Sequence, residues 1–329
     1  MSELAEAVLG AGGGPCAVGR RDPARAGLVR AFDEARFRQR LAASGLRWVA
    51  RSDRQFPRLL REIHDPPWGL FTRGAGSLDL LSAPAVAIVG SRSCSPYGTH
   101  VARRLGRELA AAGLVVVSGL ARGADAEAHR GALEADGATV AVLGCGVERD
   151  YPAAHASLAA RICERGLIIS EYPPGVEPAP WRFPARNRII AGLCAVTVIV
   201  EARERSGALI TADFALEENR DVLAVPGEIT SALSAGTNAL LRQGAGPLLG
   251  PEDVLALFGI EPQDRLFPVP TGRAAIVLGA LRDMPMGVDE LVRGTGLSAA
   301  AAASALAELE LAGLAVGQDG RYRAVVPPT

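Results

Sequence analysis

From Pro84 onward the chain alternates between short apolar runs and longer stretches with helical spacing. Val86–Val89, Leu114–Val117, Thr139–Leu143, Leu167–Ile169, Val196–Val200 and Val222–Val225 are β-branched and almost uncharged. Such runs predict strands buried on both faces, since an exposed face would place a polar residue at every second position. Between them lie segments such as Pro96–Ala112, where Val101, Leu105 and Leu109 form an apolar stripe and Arg103, Arg104 and Arg107 lie off it. Strands alternating with helices predict an α/β fold with a doubly wound, mostly parallel sheet. Such sheets bind ligands outside the carboxyl ends of their strands, so chemistry is expected in the loops that follow strands.

The flanks read differently. Residues 1–45 suggest a small helical region, interrupted by Gly12–Gly14 and Pro15 and resumed by the Arg-rich amphipathic stretch Ala26–Leu41. Trp48 to Gly74 reads as loop-rich, with Asp65-Pro66-Pro67-Trp68 as a rigid turn. Gly259–Thr271, with Pro262, Pro268 and Pro270, reads as a linker. Beyond it, Ala275–Leu281, Asp289–Gly294 and Ser298–Leu311 predict three helices, the last capped by Ser298. Leu314–Val316, Gly317-Gln318-Asp319-Gly320 and Arg321–Val325 predict a hairpin. The outline is a winged helix. The expected division is 1–82 N-terminal helical region, 83–260 α/β domain, 261–273 linker and 274–329 winged helix.

Composition narrows the chemistry. With 329 residues, 49% of them apolar, the chain can bury a sizeable core in about two domains. All 35 basic side chains are arginine. That excludes a Schiff base, a phosphate-binding P-loop lysine and a lysine general base, so any anion is held by guanidinium groups or backbone N–H. The net charge of −1 is unevenly spread: 13 Arg against 9 acids in 1–82, 16 against 19 in 83–260, and 6 against 8 in 261–329. A nucleic-acid site would therefore be a local cluster rather than a global basic field. The longest uncharged stretch, Gly294–Ala307, has 14 residues, too few for a spanning helix. No apolar run follows a basic start, so no signal peptide is expected and a cytoplasmic location is. Cys16, Cys94, Cys145, Cys163 and Cys194, with His64, His100, His129 and His155, show no ligand spacing, so neither metal nor cofactor is expected.

Three loops stand out. The first strand runs into Gly90-Ser91-Arg92-Ser93-Cys94-Ser95-Pro96-Tyr97-Gly98. Gly90 permits close backbone approach, the serines offer hydroxyls, and a helix starting at Pro96 offers N–H groups, a phosphate-binding environment to which Arg92 adds a bidentate donor. An ordinary strand–helix turn fits the same residues, and the G-x-G-x-x-G dinucleotide fingerprint is absent. The second strand ends in Ser118-Gly119-Leu120-Ala121-Arg122-Gly123-Ala124-Asp125, which would bring Arg122 to the rim that carries Arg92; Asp125 is either a first-turn acid or a group orienting Arg122. The third, Trp181-Arg182-Phe183-Pro184-Ala185-Arg186-Asn187-Arg188, interleaves arginines with aromatics. That pattern suits single-stranded nucleic acid, whose bases stack on rings while arginines follow phosphates; the alternative is a core Phe183 with a solvated arginine face. Arg205–Ala212, Pro226-Gly227-Glu228 and Gly236-Thr237-Asn238 line polar pockets or cap helices. No Ser/His/Asp order, paired carboxylates or Cys–His pair appears; Glu171 and Glu201 follow strands singly.

These motifs, in this order, resemble the DNA-processing protein A (DprA/Smf) family. The resemblance rests on Gly90-Ser91-Arg92 with Tyr97-Gly98, Ser118–Asp125 with His129, and Phe183-Pro184 with Arg186-Asn187-Arg188-Ile189-Ile190-Ala191-Gly192-Leu193. Val200-Glu201-Ala202, Ser206–Ala212, Val225-Pro226-Gly227 and Gly236-Thr237-Asn238 continue it, over roughly residues 46–325. It implies an extended Rossmann-like domain and a cytoplasmic, non-enzymatic protein. That protein binds and shields incoming single-stranded DNA, loads the RecA recombinase during natural transformation, and dimerises through the Rossmann-like domain. By the same resemblance Arg92 holds a phosphate with Gly90 and Ser91, and Phe183 faces a base. Arg186, Asn187 and Arg188 complete the wall, and Arg122 and Asn238 contribute.

Three departures follow. Family members often carry a lysine three positions before the Phe; Pro180 stands here, with Arg182 as a substitute charge and Trp181 as a second stacking surface. The N-terminal region lacks a helix-hairpin-helix pattern, so a sterile alpha motif domain is not expected. The third tail helix has no Arg, Asn or Gln and carries Glu308 and Glu310, which predicts a winged helix that contacts protein rather than reads a groove. Two other readings stay open: a nucleotide hydrolase of the lysine-decarboxylase-like class, whose P-G-G-x-G-T-x-x-E loop is broken here after Pro226-Gly227, and a winged-helix transcription factor.

Overall fold

The six apolar runs form strands β3 (Ala85–Val89), β4 (Val115–Ser118), β5 (Thr139–Val142), β6 (Leu167–Ser170), β7 (Val196–Ile199) and β8 (Asp221–Ala224), all paired in parallel. The computed structural model describes residues 2–10, 29, 31–261, 270–318 and 320–324. They fall into two units that divide between Glu261 and Pro262. The Gly12–Pro15 break, most of the expected linker and Asp319 of the expected hairpin turn lie outside the described residues.

Trp48 to Gly74, expected as loop-rich with no strand, also contributes β1 (Arg47–Ala50) and β2 (Gly69–Arg73) to the same sheet. The two are antiparallel, with Trp48 opposite Phe71, and β2 pairs antiparallel to β6. Each run is too short, and too closely flanked by turn residues, for its period to emerge; cross-strand packing of Trp48 on Phe71, ring centroids 4.5 Å apart, holds them. Helices α1 (Glu3–Gly10) and α2 (Glu34–Ala43) cover this edge through Leu4 and Leu41, joined by Leu46 from the turn before β1.

The nine strands lie in the order β1-β2-β6-β5-β4-β3-β7-β8-β9, where β9 is the short Gly246–Pro247. Alternate residues of the parallel strands point to opposite faces, and both faces are buried. Val86, Ile88, Val116 and Val198 pack on α3 (Pro96–Ala111) and α4 (Ala124–Glu134). Ala141 and Ile168 pack on α4 and α5 (Ala156–Arg165). Ala87, Val89, Val117 and Val142 pack on α6 (Arg182–Leu193) and α7 (Gly207–Glu217) from the other side. The chain runs outward from β3 to β6 and returns to lay β7 beside β3, so the topological switch point lies between β3 and β7. Helices α8 (Ala235–Arg242) and α9 (Pro251–Leu257) complete this unit.

The second unit is a winged helix. It comprises α10 (Gly272–Asp283), β10 (Met286–Gly287), α11 (Val288–Thr295), α12 (Ala299–Leu311), β11 (Ala315–Gln318) and β12 (Arg321–Ala324), with strand order β10-β12-β11. Val277, Leu281, Leu291, Leu306 and Leu309 form its core. Ser298 caps α12 by accepting the Ala301 N–H at 3.2 Å. Gly317, expected in the turn, lies within β11. Among the described residues no helix is long and apolar enough to cross a membrane.

Candidate nucleic-acid interface

The loop after β4 is held from every side. The Ser118 hydroxyl donates to the Ile88 carbonyl at 2.7 Å. The buried Asp125 carboxylate accepts the N–H groups of Gly119 (3.1 Å) and Ala121 (3.3 Å). Leu120, fully buried, sits in the left-handed region at φ 57°, and Nδ1 of His155 donates to its carbonyl at 3.0 Å. A left-handed leucine costs about 1–3 kcal/mol and persists only where its surroundings over-determine it. The product is a fixed loop with Arg122 exposed at its tip.

That loop touches the one after β3. Gly123 has φ 74°, and a Cβ there would lie 2.2 Å from the Ser91 carbonyl oxygen and 2.9 Å from the Arg92 carbonyl carbon. The Ala124 N–H donates to the same Ser91 oxygen at 3.2 Å. Two exposed arginines, Arg92 and Arg122, therefore project from loops in backbone contact.

The phosphate cradle expected at the start of α3 takes a different form. A Cβ on Gly90 would meet Ala124 Cβ at 2.8 Å and the Glu201 backbone at 3.2 Å, so the close neighbour of Gly90 is protein. Ser91 is buried and its hydroxyl accepts the Ser93 N–H at 3.1 Å. Glu201, buried just after β7, crosses the switch point and accepts the Ser95 N–H at 2.9 Å and the Ser95 hydroxyl. Ser95 Oγ in turn accepts the Gly98 N–H at 3.1 Å. An internal carboxylate thus occupies the anion position at this helix N-terminus. Asp125, in the first turn of α4, turns its carboxylate back onto the N–H groups of the preceding loop rather than onto the helix N-terminus. It faces Arg186 rather than orienting Arg122, and burial pushes its carboxyl above the ordinary range while Arg186 opposes the shift.

The α6 arginines split by position. Arg186 and Arg188, for which a solvated face was the alternative, are both buried. Arg186 donates to the carbonyls of Gly119 (2.9 Å) and Val142 and, through Nε, to Asn187 Oδ1 at 3.0 Å. Burial lowers its pKa to about 10, and Asp125 works against that shift. Arg188 grips Glu171 with Nη1 (2.8 Å) and Nη2 (2.7 Å), and Asp65 with Nε (3.0 Å). Burial works against its charge, but these carboxylates outweigh it and raise its pKa. Asn187 donates to Gly207 O at 3.1 Å, and Asn238 closes the β8 loop by exchanging two hydrogen bonds with the Gly227 backbone. These four side chains brace the loops from within.

At the start of α6 the side chains turn outward. Arg92 lies with its guanidinium 5.7 Å from the Phe183 ring centre. Tyr151 stacks on the same ring, centroids 5.2 Å apart and planes 20° from parallel. Arg182 donates to the Glu177 carbonyl and lies 5.1 Å from the Tyr172 ring and 4.8 Å from the Trp181 ring. Trp181 and Tyr151 are 40% exposed and Tyr97 39%, whereas Phe183 is half-buried. Arg92, Arg122, Arg182 and Phe183 thus form an arginine–aromatic rim, and Gly90, Ser91, Arg186, Asn187, Arg188 and Asn238 lie in or behind its supports. Tyr151 and Asp65 were not singled out in the sequence for these positions. The signal for Tyr151 was an aromatic in the loop after β5; Asp65 was visible only as part of a turn.

Among the described residues no group of three or more His, Cys, Asp or Glu side chains is placed to hold a metal ion. Burial, then Glu201, pushes the Cys94 thiol in the β3 loop up to about 12, so it stays protonated at neutral pH.

Comparison with known proteins places both units of the chain. Residues 47–259 match the family DNA recombination-mediator protein A, and residues 261–321 match the DprA winged helix domain. DNA processing protein DprA of Streptococcus pneumoniae is 47% identical over 203 residues, 62% of this chain and 71% of that protein. Protein Smf of Escherichia coli is 37% identical over 284 residues, 81% of this chain and 74% of that protein. Among solved structures, S. pneumoniae DNA processing protein A superposes with a TM-score of 0.67 at 43% identity, covering 72% of this chain and 83% of that one. DNA processing protein A of Helicobacter pylori, described for its single-stranded DNA binding mode, gives 0.58 at 31% identity, covering 64% and 95%. With both of its units matched in order and the loops of its rim carrying the family's motifs, this chain belongs to the DNA recombination-mediator protein A (DprA/Smf) family.

Proposed function

We propose that this protein binds single-stranded DNA at the rim formed by Arg92, Arg122, Arg182 and Phe183, shields it, and loads RecA on it during natural transformation and recombination. It acts in the cytoplasm as a homodimer joined through the Rossmann-like unit, and as a binding protein rather than an enzyme. One observation carries the reading: Arg92, exposed on a braced loop, lies over an aromatic ring beside a second exposed arginine. Guanidinium groups follow phosphates while rings take bases, which is what a sequence-tolerant single-strand site needs. Membership of the family and the single-stranded DNA binding described for the H. pylori relative support it. The hydrolase alternative is weakened by the loop broken after Pro226-Gly227, and nucleoside-monophosphate hydrolysis abolished by Glu201→Gln would revive it. The winged helix acts as a protein contact, since α12 carries no arginine, asparagine or glutamine.

The test is a salt titration of oligonucleotide binding. Arg92→Glu lowers affinity and reduces the slope of log K against log salt by about 0.7 per lost phosphate contact. Wild-type affinity and slope in that variant would remove Arg92 from the site. Competition by duplex and by RNA, and delivery of purified RecA to the strand, test the remaining parts.

A further inference from the structure

The ring expected to meet a base, Phe183, is not the ring the surface offers. Phe183 is half-buried and has Tyr151 stacked on it, whereas Tyr151 itself is 40% exposed. We infer that Tyr151 is a base-stacking residue of the single-strand site, with Phe183 as the ring that backs it. The inference rests on the single-strand reading above and adds to it the side chain that meets the base.

Three observations carry the assignment. First, the pair is offset-stacked, 5.2 Å between centroids at 20°, which is the preferred aromatic geometry and continues naturally into a third stacked ring. Second, the loop after β5 that carries Tyr151 is clamped. Arg73 donates to Asp150 Oδ1 at 2.7 Å and to the Glu148 carbonyl at 3.2 Å. Val147 is buried among Trp48, Phe71 and Leu46 of the N-terminal edge, and Glu148 accepts the Gly175 N–H at 2.7 Å. A ring held in this way gives up little freedom when a base settles on it. Third, Arg92 lies against the same Phe183 ring, so a phosphate on Arg92 and a base on Tyr151 meet groups that share one support.

The full-length protein is titrated with an oligo(dT) strand carrying a single 2-aminopurine, whose fluorescence is quenched when the base stacks. Tyr151→Ala weakens binding roughly tenfold, as expected for one lost base–ring stack; Tyr151→Phe keeps wild-type affinity and quenching. Tyr151→Leu separates stacking from packing, because leucine still covers Phe183 but offers no π-face. It binds as weakly as the alanine variant, with the wild-type melting temperature and without the quenching change. Wild-type binding by Tyr151→Leu would reduce Tyr151 to a prop for Phe183 and overturn the assignment. Loss of binding in Tyr151→Phe would overturn it too, by moving the role to the hydroxyl. If the wild-type protein fails to bind the strand at all, the single-strand reading itself falls; if it binds and Arg92→Glu weakens it while Tyr151→Ala does not, only Tyr151 is wrongly placed.

Discussion

Replacing Arg188 with methionine separates a structural arginine from a phosphate ligand. Its side chain is 8% exposed and pairs with Glu171 at 13% and Asp65 at 29%. Removing one partner of a buried pair costs about 3–5 kcal/mol, because the remaining charge stays desolvated. Glu171 loses two hydrogen bonds and has little access to water, while Asp65 is open enough to rehydrate, so the expected loss is about 3–4 kcal/mol, in the lower part of that range. At roughly 2–4 °C per kcal/mol for a unit of this size, the melting temperature falls by about 6–16 °C. Tryptophan emission during urea unfolding reads this cleanly, since Trp48, Trp68 and Trp181 are the chain's three tryptophans and all lie in the first unit. The folded variant retains the wild-type salt slope for single-stranded DNA. Arg188→Met combined with Glu171→Gln and Asp65→Asn recovers much of the stability, because no charge is then left buried. The argument fails if Arg188→Met costs less than about 1 kcal/mol, or if its salt slope drops by the ~0.7 of a lost phosphate contact.

Two further outcomes follow from the braced loops. His129 is fully buried with Nδ1 on the Thr139 hydroxyl at 2.7 Å, and burial lowers its pKa to about 3. The unfolded chain takes up this proton near the ordinary histidine value of about 6.5 and the folded chain only near 3, so the contribution present above 6.5 is lost progressively as pH falls between them. Melting temperatures of His129→Asn and wild type between pH 7 and 4.5 should therefore converge toward acid, and parallel curves would contradict this. Gly123→Ala meets both a positive φ and the Ser91 carbonyl at 2.2 Å. It should destabilise the protein by about 1–3 kcal/mol and weaken oligonucleotide binding by parting the two loops; wild-type behaviour in both assays would show that the loops are not interlocked.

The sheet was legible because its strands are buried on both faces, and two-sided burial leaves an uninterrupted apolar run. The N-terminal strands were not, because Arg47–Ala50 and Gly69–Arg73 gain their stability from each other and from β6 rather than from any pattern of their own. The rim was legible as arginines and aromatics after strands. Which arginine faces outward was not. Arg186 and Arg188 differ from Arg92 only in their neighbours, and those neighbours, Asp65, Asp125, Glu171 and the Gly119 carbonyl, come from distant parts of the chain. Glu201 was noted as a lone carboxylate; its task needed Ser95, 106 residues away, to become visible.

The plug formed by Glu201 at the start of α3 bears on selectivity among phosphates. A mononucleotide draws most of its affinity in folds of this kind from a helix N-terminus that receives its phosphate through backbone N–H groups. At the start of α3 that position is filled from within by Glu201, so a free nucleotide has little to gain there, whereas on the single-strand reading proposed above a polymer engages several guanidinium groups and rings at once. On that reading the protein is expected to discriminate by strand length and to be little inhibited by free mononucleotides.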